Sequence, residues 1–252
     1  MKPRLFLIGL VWLFSGCATA TQPQNLTSRE EFSSRIEVIA QAPMILPGGM
    51  GAEQTQIVHA TFQQLMADAL ERRGFAVIAA RQTYQISDRL VRDLGGAFDP
   101  RKDLQKLSVY RDHLRRELRE TFRADALLIA EIIPVAARYS GATARWHGAS
   151  QRIATDGLRV AEFFSGDNTG TVPAFSLQVW MVDAVSGARL WSGFSGVHVL
   201  SKRGADTWVP VPVEQALSDQ TRNRNAVEIA FKSLRRVKSE GPLTTREEPP
   251  IR

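Results

Sequence analysis

The stretch AFSLQVWMVDAVSGARLWSGFSGVHVL, Ala174 to Leu200, decides the fold because it has the pattern of two strands joined by a short turn. In AFSLQVWMVD, apolar residues alternate with Ser176, Gln178 and Trp180, which is typical of a strand whose two faces have different surroundings. AVSGA supplies the turn, and RLWSGFSGVHVL forms the returning strand. We predict an antiparallel hairpin with Trp180 and Trp191 on either side of the turn, where they can pair across it.

Strands and helices alternate along the chain before this hairpin. Short runs rich in apolar and β-branched residues predict strands, and apolar residues spaced three and four apart predict amphipathic helices. Residues 81–100 have a mixed pattern that favours neither. The expected strands are 35–45, 75–79 and 126–136, and the expected helices are 53–73, 101–123 and 213–237.

This order predicts the α+β class, a mixed α/β arrangement. We expect a central mixed sheet of about five strands, flanked by about three main helices, in one domain over residues 34–238. Residues 138–173 are expected to form a long loop or insertion, because they are rich in Gly, Ser, Thr and Ala. A structureless connection of this length is unusual. Its segment QRIATDGLRVAEFF therefore indicates an extra hairpin or a short helix.

The chain begins like a secretory signal peptide. MKPR is basic, LFLIGLVWLF at residues 5–14 is uncharged and apolar, and small residues follow it. The apolar run is too short for a membrane-spanning helix, which needs about twenty residues. We therefore interpret residues 1–16 as a signal peptide that is removed after Gly16.

The end of this segment, FSGC, resembles the lipobox of bacterial lipoproteins, with Phe14 where that family has an aliphatic residue. The resemblance implies that Cys17, the only cysteine of the chain, becomes a lipidated N-terminus. Because Ala18 stands where inner-membrane lipoproteins carry Asp, it also implies the periplasmic face of the outer membrane. The alternative is that Cys17 is an ordinary small residue near a conventional cleavage site.

Polar stretches flank the predicted domain. Residues 17–33 show no core pattern and are interpreted as a flexible tether behind the lipid. Residues 239–252, SEGPLTTREEPPIR, are polar and contain prolines, so we interpret them as a disordered tail.

Two stretches also resemble a known group of periplasmic lipoprotein domains. RADALLIAEI, Arg123 to Ile132, is similar to that group's strand after an Ala-Asp turn, and LQVWMVDAVSGARLWSG, Leu177 to Gly193, is similar to its Asp-containing hairpin with a Trp. The group comprises domains related to the curli secretion lipoprotein, to the penicillin-binding-protein activator lipoproteins and to the N-terminal domain of the Tol beta-propeller protein. The resemblance implies their mixed α/β fold. Both stretches are scaffold features, so they do not specify one function.

The charge and the histidines exclude several function classes. The net charge of +6 falls to about +4 once Lys2 and Arg4 leave with the signal peptide, and export argues against nucleic acid as a partner. The four histidines lie on separate predicted elements: His59, His113, His147 and His198. With Cys17 lipidated, no cysteine remains to act as a ligand. We therefore expect no metal site, no catalytic motif and no cofactor.

Five aromatic residues are candidates for binding a partner protein. They lie in the insertion and in the hairpin, where exposed rings would offer contact area. The alternatives are that the rings of the insertion fold back on the core and that those of the hairpin pack against a helix. The candidates are Trp146, Phe163, Phe164, Trp180 and Trp191.

These observations favour a non-enzymatic lipoprotein that binds another cell-envelope protein as a scaffold, assembly or regulatory factor. Two alternatives stay open. One is a lipid-anchored envelope hydrolase that uses His147, Asp156, Asp183 or His198. The other is a homo-oligomer that forms a ring of a secretion system, as the resemblance to the curli lipoprotein implies.

Overall fold

In the computed structural model, which describes residues 29–78, 80–96, 102–154, 168–204 and 207–234, helices and strands alternate at first and strands dominate later. The helices are α1 (Arg29–Arg35), α2 (Ala52–Glu71), α3 (Ala80–Asp93), α4 (Leu104–Phe122), α5 (Val213–Ser218) and α6 (Gln220–Ala230). The strands are β1 (Val38–Gln41), β2 (Ala76–Ile78), β3 (Ala126–Ser140), β4 (Thr143–Trp146), β5 (Ala149–Arg152), β6 (Thr169–Asp183), β7 (Arg189–Val199), β8 (Ser201–Arg203) and β9 (Trp208–Pro210).

The predicted hairpin is present as β6 and β7, which pair in an antiparallel register. Met181 lies opposite Trp191, and Trp180 lies opposite Ser192. The side chains of Trp180 and Trp191 therefore belong to different buried clusters on opposite faces of the sheet. The expected contact between these two rings is wrong.

β3 is the centre of a seven-stranded mixed sheet. It pairs with β6 along its whole length, from Ala126 opposite Asp183 to Ser140 opposite Thr169. On its other side, the first residues of β3 pair in parallel with β1, and its last residues pair with β4. β2 and β5 lie outside β1 and β4, and β8 and β9 form a separate ribbon. The α+β class and the mixed sheet are confirmed, with more strands than expected.

Helices cover both faces of one part of the sheet. This part contains β1, β2, the start of β3 and the turn between β6 and β7. We call it the proximal half. On one face, α2 and the end of α6 bury Phe62, Trp191 and Phe231. On the other face, α3 and α4 bury Leu114 and Leu127. Because both faces are buried, the start of β3 is a continuous apolar run instead of an alternating one.

The other end of the sheet contains the second part of β3, the β4–β5 hairpin, the start of β6 and the end of β7. We call it the distal half. The hairpin curls over one face of the sheet and encloses a smaller core that includes Ala137, Ile153 and Val172. Its turn, His147 and Gly148, has positive φ angles of 41° and 76°, which match the twist of a two-residue hairpin turn.

This arrangement corrects the expected loop at 138–173. Most of residues 138–152 and all of 169–173 belong to strands, because the polar residues there alternate with small apolar ones. Residues 155–167, with Asp156, Phe163 and Phe164, lie outside the described residues.

Two helices differ from expectation. Residues 80–93, which show a mixed pattern, form α3 with Ile86 and Leu90 buried. The helix expected over 213–237 is broken into α5 and α6 at Asp219. The Asp219 side chain accepts a hydrogen bond from the backbone N–H of Arg222 at 3.1 Å and so begins a new helix.

The end of the expected tether is also structured. Residues 29–33 belong to α1, in which Phe32 is buried with its ring 5.9 Å from that of Phe75. The expected signal peptide, Gly16, Cys17 and the rest of the expected tether precede the described residues, and the expected tail follows them. Among the described helices, none has the length and apolar character needed to cross a membrane.

Candidate functional site

A group of hydrogen-bonded polar side chains lies where the β4–β5 hairpin packs onto β6 and β7. Nε1 of Trp146 donates a hydrogen bond to the carbonyl oxygen of Phe175 at 3.1 Å, and the N–H of Gly196 donates to the carbonyl of His147 at 3.2 Å. A Cβ on Gly196 would lie 2.5 Å from the Trp146 ring, so only glycine permits this approach. We call this contact the hairpin junction; its side chains are Trp146, His147, Gln151, Ser176 and His198.

His147 and Ser176 are the pair in the junction that most resembles catalytic machinery. Nδ1 of His147 lies 2.8 Å from Oγ of Ser176, and a histidine beside a hydroxyl is the arrangement that activates a nucleophile. Ser176 is 0 % exposed, however, so a substrate has no access to its hydroxyl. Burial also lowers the pKa of His147. In this conformation the pair holds the hairpin on β6.

His198 fastens the other side of the junction. Its Nδ1 lies 2.6 Å from the carbonyl oxygen of Val199, and its Nε2 lies 3.1 Å from Nε2 of Gln151. Gln151 also accepts a hydrogen bond from the N–H of Val199 at 3.0 Å. Burial is the main cause that lowers the pKa of His198. Nearby Arg222 and Lys202 lower it further, against the opposing effects of the Val199 carbonyl and Asp219.

Asp183 lies at the opposite end of β6. One of its carboxylate oxygens accepts hydrogen bonds from the N–H groups of Val185 and Ser186 at 2.8 and 2.7 Å, and the other accepts from Arg35 at 2.7 Å. Burial alone would raise the pKa of Asp183, but these hydrogen bonds, the Ser186 hydroxyl and the charge of Arg35 lower it overall. The carboxylate stabilises the turn and fastens α1 to it.

Among the described residues proposed for a hydrolase, Asp183 is therefore separated from the two histidines. Seven residues of extended strand separate Ser176 from Asp183, which is about 20 Å. His147 and His198 lie at the junction end, and Asp156 lies outside the described residues. Within the part of the chain that the structure describes, no three His, Cys, Asp or Glu side chains gather where they could hold a metal ion.

The tryptophans of the β6–β7 hairpin are buried, as expected if they pack against helices. Trp191 is 1 % exposed, its ring centre lies 5.3 Å from that of Phe231, and its Nε1 donates to Oγ of Ser233 at 3.1 Å. Trp180 lies beneath the guanidinium groups of Arg111 and Arg189, at 5.7 and 5.8 Å from its ring centre.

Trp146 is likewise buried, in the distal core, so the three rings follow the alternative that they pack inside the domain, and as candidates for binding a partner they are corrected. The physical reason is that the helices and the curled hairpin cover the faces from which they project. Phe163 and Phe164 lie outside the described residues.

The sequence predictions missed an exposed aromatic residue. Trp208 on β9 is 41 % exposed and its neighbour Val209 is 47 % exposed. The Trp208 ring lies 5.6 Å from that of Tyr139, which holds one edge of the indole in place. One sequence feature could have indicated this residue: a tryptophan in the short, proline-containing segment TWVPVP between two predicted elements.

The sequence predictions also missed a basic surface on the distal half. Arg138 on β3 lies directly opposite Arg145 on β4, and Arg152 on β5 lies opposite Thr143 on β4. Residues that lie opposite each other project from the same face. The outer face of the curled sheet therefore carries three exposed arginines, and we call it the arginine face. Its signal was the alternation of Arg with small apolar residues in AARYS and TARW.

A cleft of about 280 Å³ lies between α3, α4 and the segment that follows β1. Its lining is mostly apolar, with Met44, Val91 and Leu107 among its residues. Its polar groups include the hydroxyls of Ser87 and Tyr110, which are hydrogen-bonded to each other at 2.7 Å. Arg111 lies at the same cleft. Trp146, Trp180 and Trp191, the described residues among those predicted to bind a partner, do not line it.

No protein-family model matches this chain, and no curated protein matches it. Among solved structures, it is similar to lipoprotein GNA1162 from Neisseria meningitidis, with 15% identity, a TM-score of 0.33, and 75% of this chain and 98% of that chain covered. It is also similar to the LpoB C-terminal domain from Salmonella enterica, with 17% identity, a TM-score of 0.30, and coverages of 64% and 82%. A third is the PelC dodecamer from Paraburkholderia phytofirmans, with 10% identity, a TM-score of 0.32, and coverages of 80% and 89%. Bacterial lipoproteins are thus among its distant structural neighbours.

Proposed function

We propose that this chain is a lipoprotein anchored to the periplasmic face of the outer membrane, where its domain binds another cell-envelope protein as a non-enzymatic assembly or regulatory factor. The observation that carries the proposal is the N-terminal sequence. A basic start and a short apolar run lead directly to FSGC, whose Cys17 is the only cysteine of the chain.

The use of polar side chains in the domain supports the non-enzymatic part of the proposal. The Asp125 carboxylate accepts hydrogen bonds from the N–H groups of Glu37 and Val38, both at 2.9 Å, and so fastens β1 to β3. Asp183 holds a turn, and His147 holds the hairpin junction. These groups have structural partners and are placed apart from one another.

Trp208 is the residue that best fits the contact with a partner protein. Tryptophan is enriched among the residues that contribute most to protein–protein binding, because it offers a large ring at low entropic cost. Trp208 presents such a ring beside the exposed Val209, and Tyr139 limits its freedom before binding. This assignment replaces the buried Trp146, Trp180 and Trp191.

Purification of the full-length protein from detergent-solubilised envelopes tests the proposal. We expect the N-terminal peptide of the mature protein to carry a lipid on Cys17 by mass spectrometry, and one envelope protein to co-purify at near-stoichiometric yield. Cys17→Ser should abolish both results. Trp208→Ala should reduce the recovery of the partner and leave the lipid in place.

Val185→Ala is the matched control, because Val185 is 63 % exposed on the turn between β6 and β7, away from Trp208. A lipidated, folded protein that recovers no partner would contradict the scaffold function. Light scattering of the same sample would show whether a homo-oligomer takes the place of that partner.

A further inference from the structure

The arginine face carries charge that its own strands do not neutralise. Arg138 and Arg145 occupy directly opposite positions, where like charges destabilise a sheet. Neither Asp nor Glu occurs in residues 132–154 or 168–182, which include every strand segment of this face. An anion from outside the strands that lies between or above the guanidinium groups would replace this repulsion by charge-assisted hydrogen bonds.

Hydroxyl groups surround the arginines. Ser140 lies opposite both Thr143 and Thr169, Ser150 lies opposite Arg145, and Thr171 lies opposite Arg138. All of these side chains therefore project from the same face. Guanidinium groups and hydroxyls are both donors to phosphate oxygens, and the planar guanidinium can donate two parallel hydrogen bonds to one phosphate. The chemistry of this face fits phosphate groups.

The composition of the face favours a phosphate-bearing surface over a protein partner. Protein interfaces have an apolar centre with aromatic or large aliphatic residues. The exposed apolar residues that share this face are only Pro134, Ala136 and Pro173, which are small or cyclic. The hydrogen-bond donors of this face lie on neighbouring strands, so they form an open array and not an enclosed pocket. An open array of donors suits the phosphate headgroups of a surface.

We propose that the arginine face rests on the anionic phosphate headgroups of a phospholipid membrane. This inference rests on the proposed function, because the lipid on Cys17 is what places the domain at a membrane. Residues 18–28 separate that cysteine from α1, and eleven residues of chain reach at most about 40 Å. The anchor keeps the face at high local concentration near the headgroups, so three weak electrostatic contacts are sufficient to orient the domain.

The test uses the mature chain from residue 17 with Cys17→Ser, so that no lipid contributes to binding. We expect it to co-sediment at low salt with vesicles that contain phosphatidylglycerol, and not with vesicles of phosphatidylcholine alone. Added salt should weaken the binding. The triple variant Arg138→Gln, Arg145→Gln, Arg152→Gln should bind about a hundredfold more weakly, because each basic residue near an anionic bilayer contributes about fivefold.

The matched control removes the same charge elsewhere. The control triple variant carries Arg92→Gln, Arg116→Gln and Arg224→Gln. These three arginines are exposed on helices, so the control variant should keep most of its binding to the vesicles. Circular dichroism and thermal unfolding show that each variant is folded. A folded arginine-face variant that binds as well as the control variant would overturn the proposal.

Two further results bear on the ligand. Replacing the three arginines by Lys should preserve most of the binding, because a membrane surface responds mainly to charge. If the protein bound soluble glycerophosphoglycerol as tightly as vesicles, the ligand would not be a membrane surface. Loss of vesicle binding in the Lys variant would contradict the proposal in the same way. The inference and the proposed function fail separately, because vesicle binding here does not depend on lipidation and partner capture does not depend on vesicles.

Discussion

The proximal and distal halves share β3, β6 and β7 but use the faces of these strands differently. In the proximal half, helices cover both faces, so Trp180 and Trp191 are buried on opposite sides of the same sheet. In the distal half, the curled hairpin covers only one face, and the other carries Arg138, Arg145 and Arg152. Packing restricts the residues of a covered face, whereas an exposed face can carry residues suited to a ligand. In this fold, the sheet face that stays exposed is therefore that of the distal half.

The largest effect is expected in the proximal core. Trp191→Ala should lower the free energy of unfolding by about 4 kcal/mol, because it removes a buried ring packed on Phe231 and leaves a cavity. Urea denaturation followed by circular dichroism measures this change. Trp208→Ala, which truncates an exposed tryptophan that contacts Tyr139 in the distal half, should cost less than about 1 kcal/mol. Equal losses in the two variants would contradict the difference between the halves.

Acid should destabilise the distal half through the hairpin junction. Burial lowers the pKa of both His147 and His198 below the ordinary value of 6.5, so the folded state binds protons less readily than the unfolded state. Stability is therefore fully present above about pH 6.5 and decreases as the pH falls through the lower pKa values of the folded state. We expect the urea midpoint of the wild-type protein to decrease between about pH 7 and pH 5.

The double variant His147→Gln, His198→Gln should show a smaller decrease over the same range. His113→Gln serves as its control, because His113 is exposed on α4. If the double variant and the control had the same pH dependence, the junction would not be the acid-sensitive element.

The smallest effects concern two arginines and should have opposite signs. Arg35→Gln should lower stability by about 0.5 kcal/mol, because it removes a half-exposed ion pair, while the turn still supplies hydrogen bonds to Asp183. Arg138→Gln should raise stability by a few tenths of a kcal/mol, because it relieves the repulsion from Arg145. Thermal unfolding at low and high salt measures both changes, and both should shrink as salt screens the charges. If Arg138→Gln lowered the stability instead, the positive charge of Arg138 would already be compensated by other groups of the protein.

The proximal half could largely be predicted from the sequence because its elements have strong patterns. The β6–β7 hairpin follows from its alternation and turn, and α2 and α4 follow from their apolar stripes. α3 could not be recognised in this way. Two of its four buried positions are Thr83 and Ser87, so its apolar stripe is reduced to Ile86 and Leu90.

The distal half was harder to predict for a steric reason. The hairpin approaches β7 so closely that the residues beside the Trp146 ring are small; a Cβ on Gly196 would lie only 2.6 Å from that of Ala149. Ala144 and Ala149 therefore occupy positions where a strand usually shows larger apolar residues. The covering of Trp146, Trp180 and Trp191 also could not be predicted, because it depends on which elements pack above each face.

The long pairing of β3 with β6 has a consequence for the order of folding. Met181 of β6 pairs with Trp191 of β7 across 10 residues, and β3 pairs with β6 across 29 to 57 residues, whereas Val38 reaches Asp125 across 87 residues. Pairings between distant residues form slowly, so we expect β6 and β7 to be protected from hydrogen exchange during refolding before β1 is. Equal protection of β1 at the earliest times would contradict this order. Until β1 docks, the edge of β3 next to it is open, and the folding chain presents an unpaired strand to its neighbours.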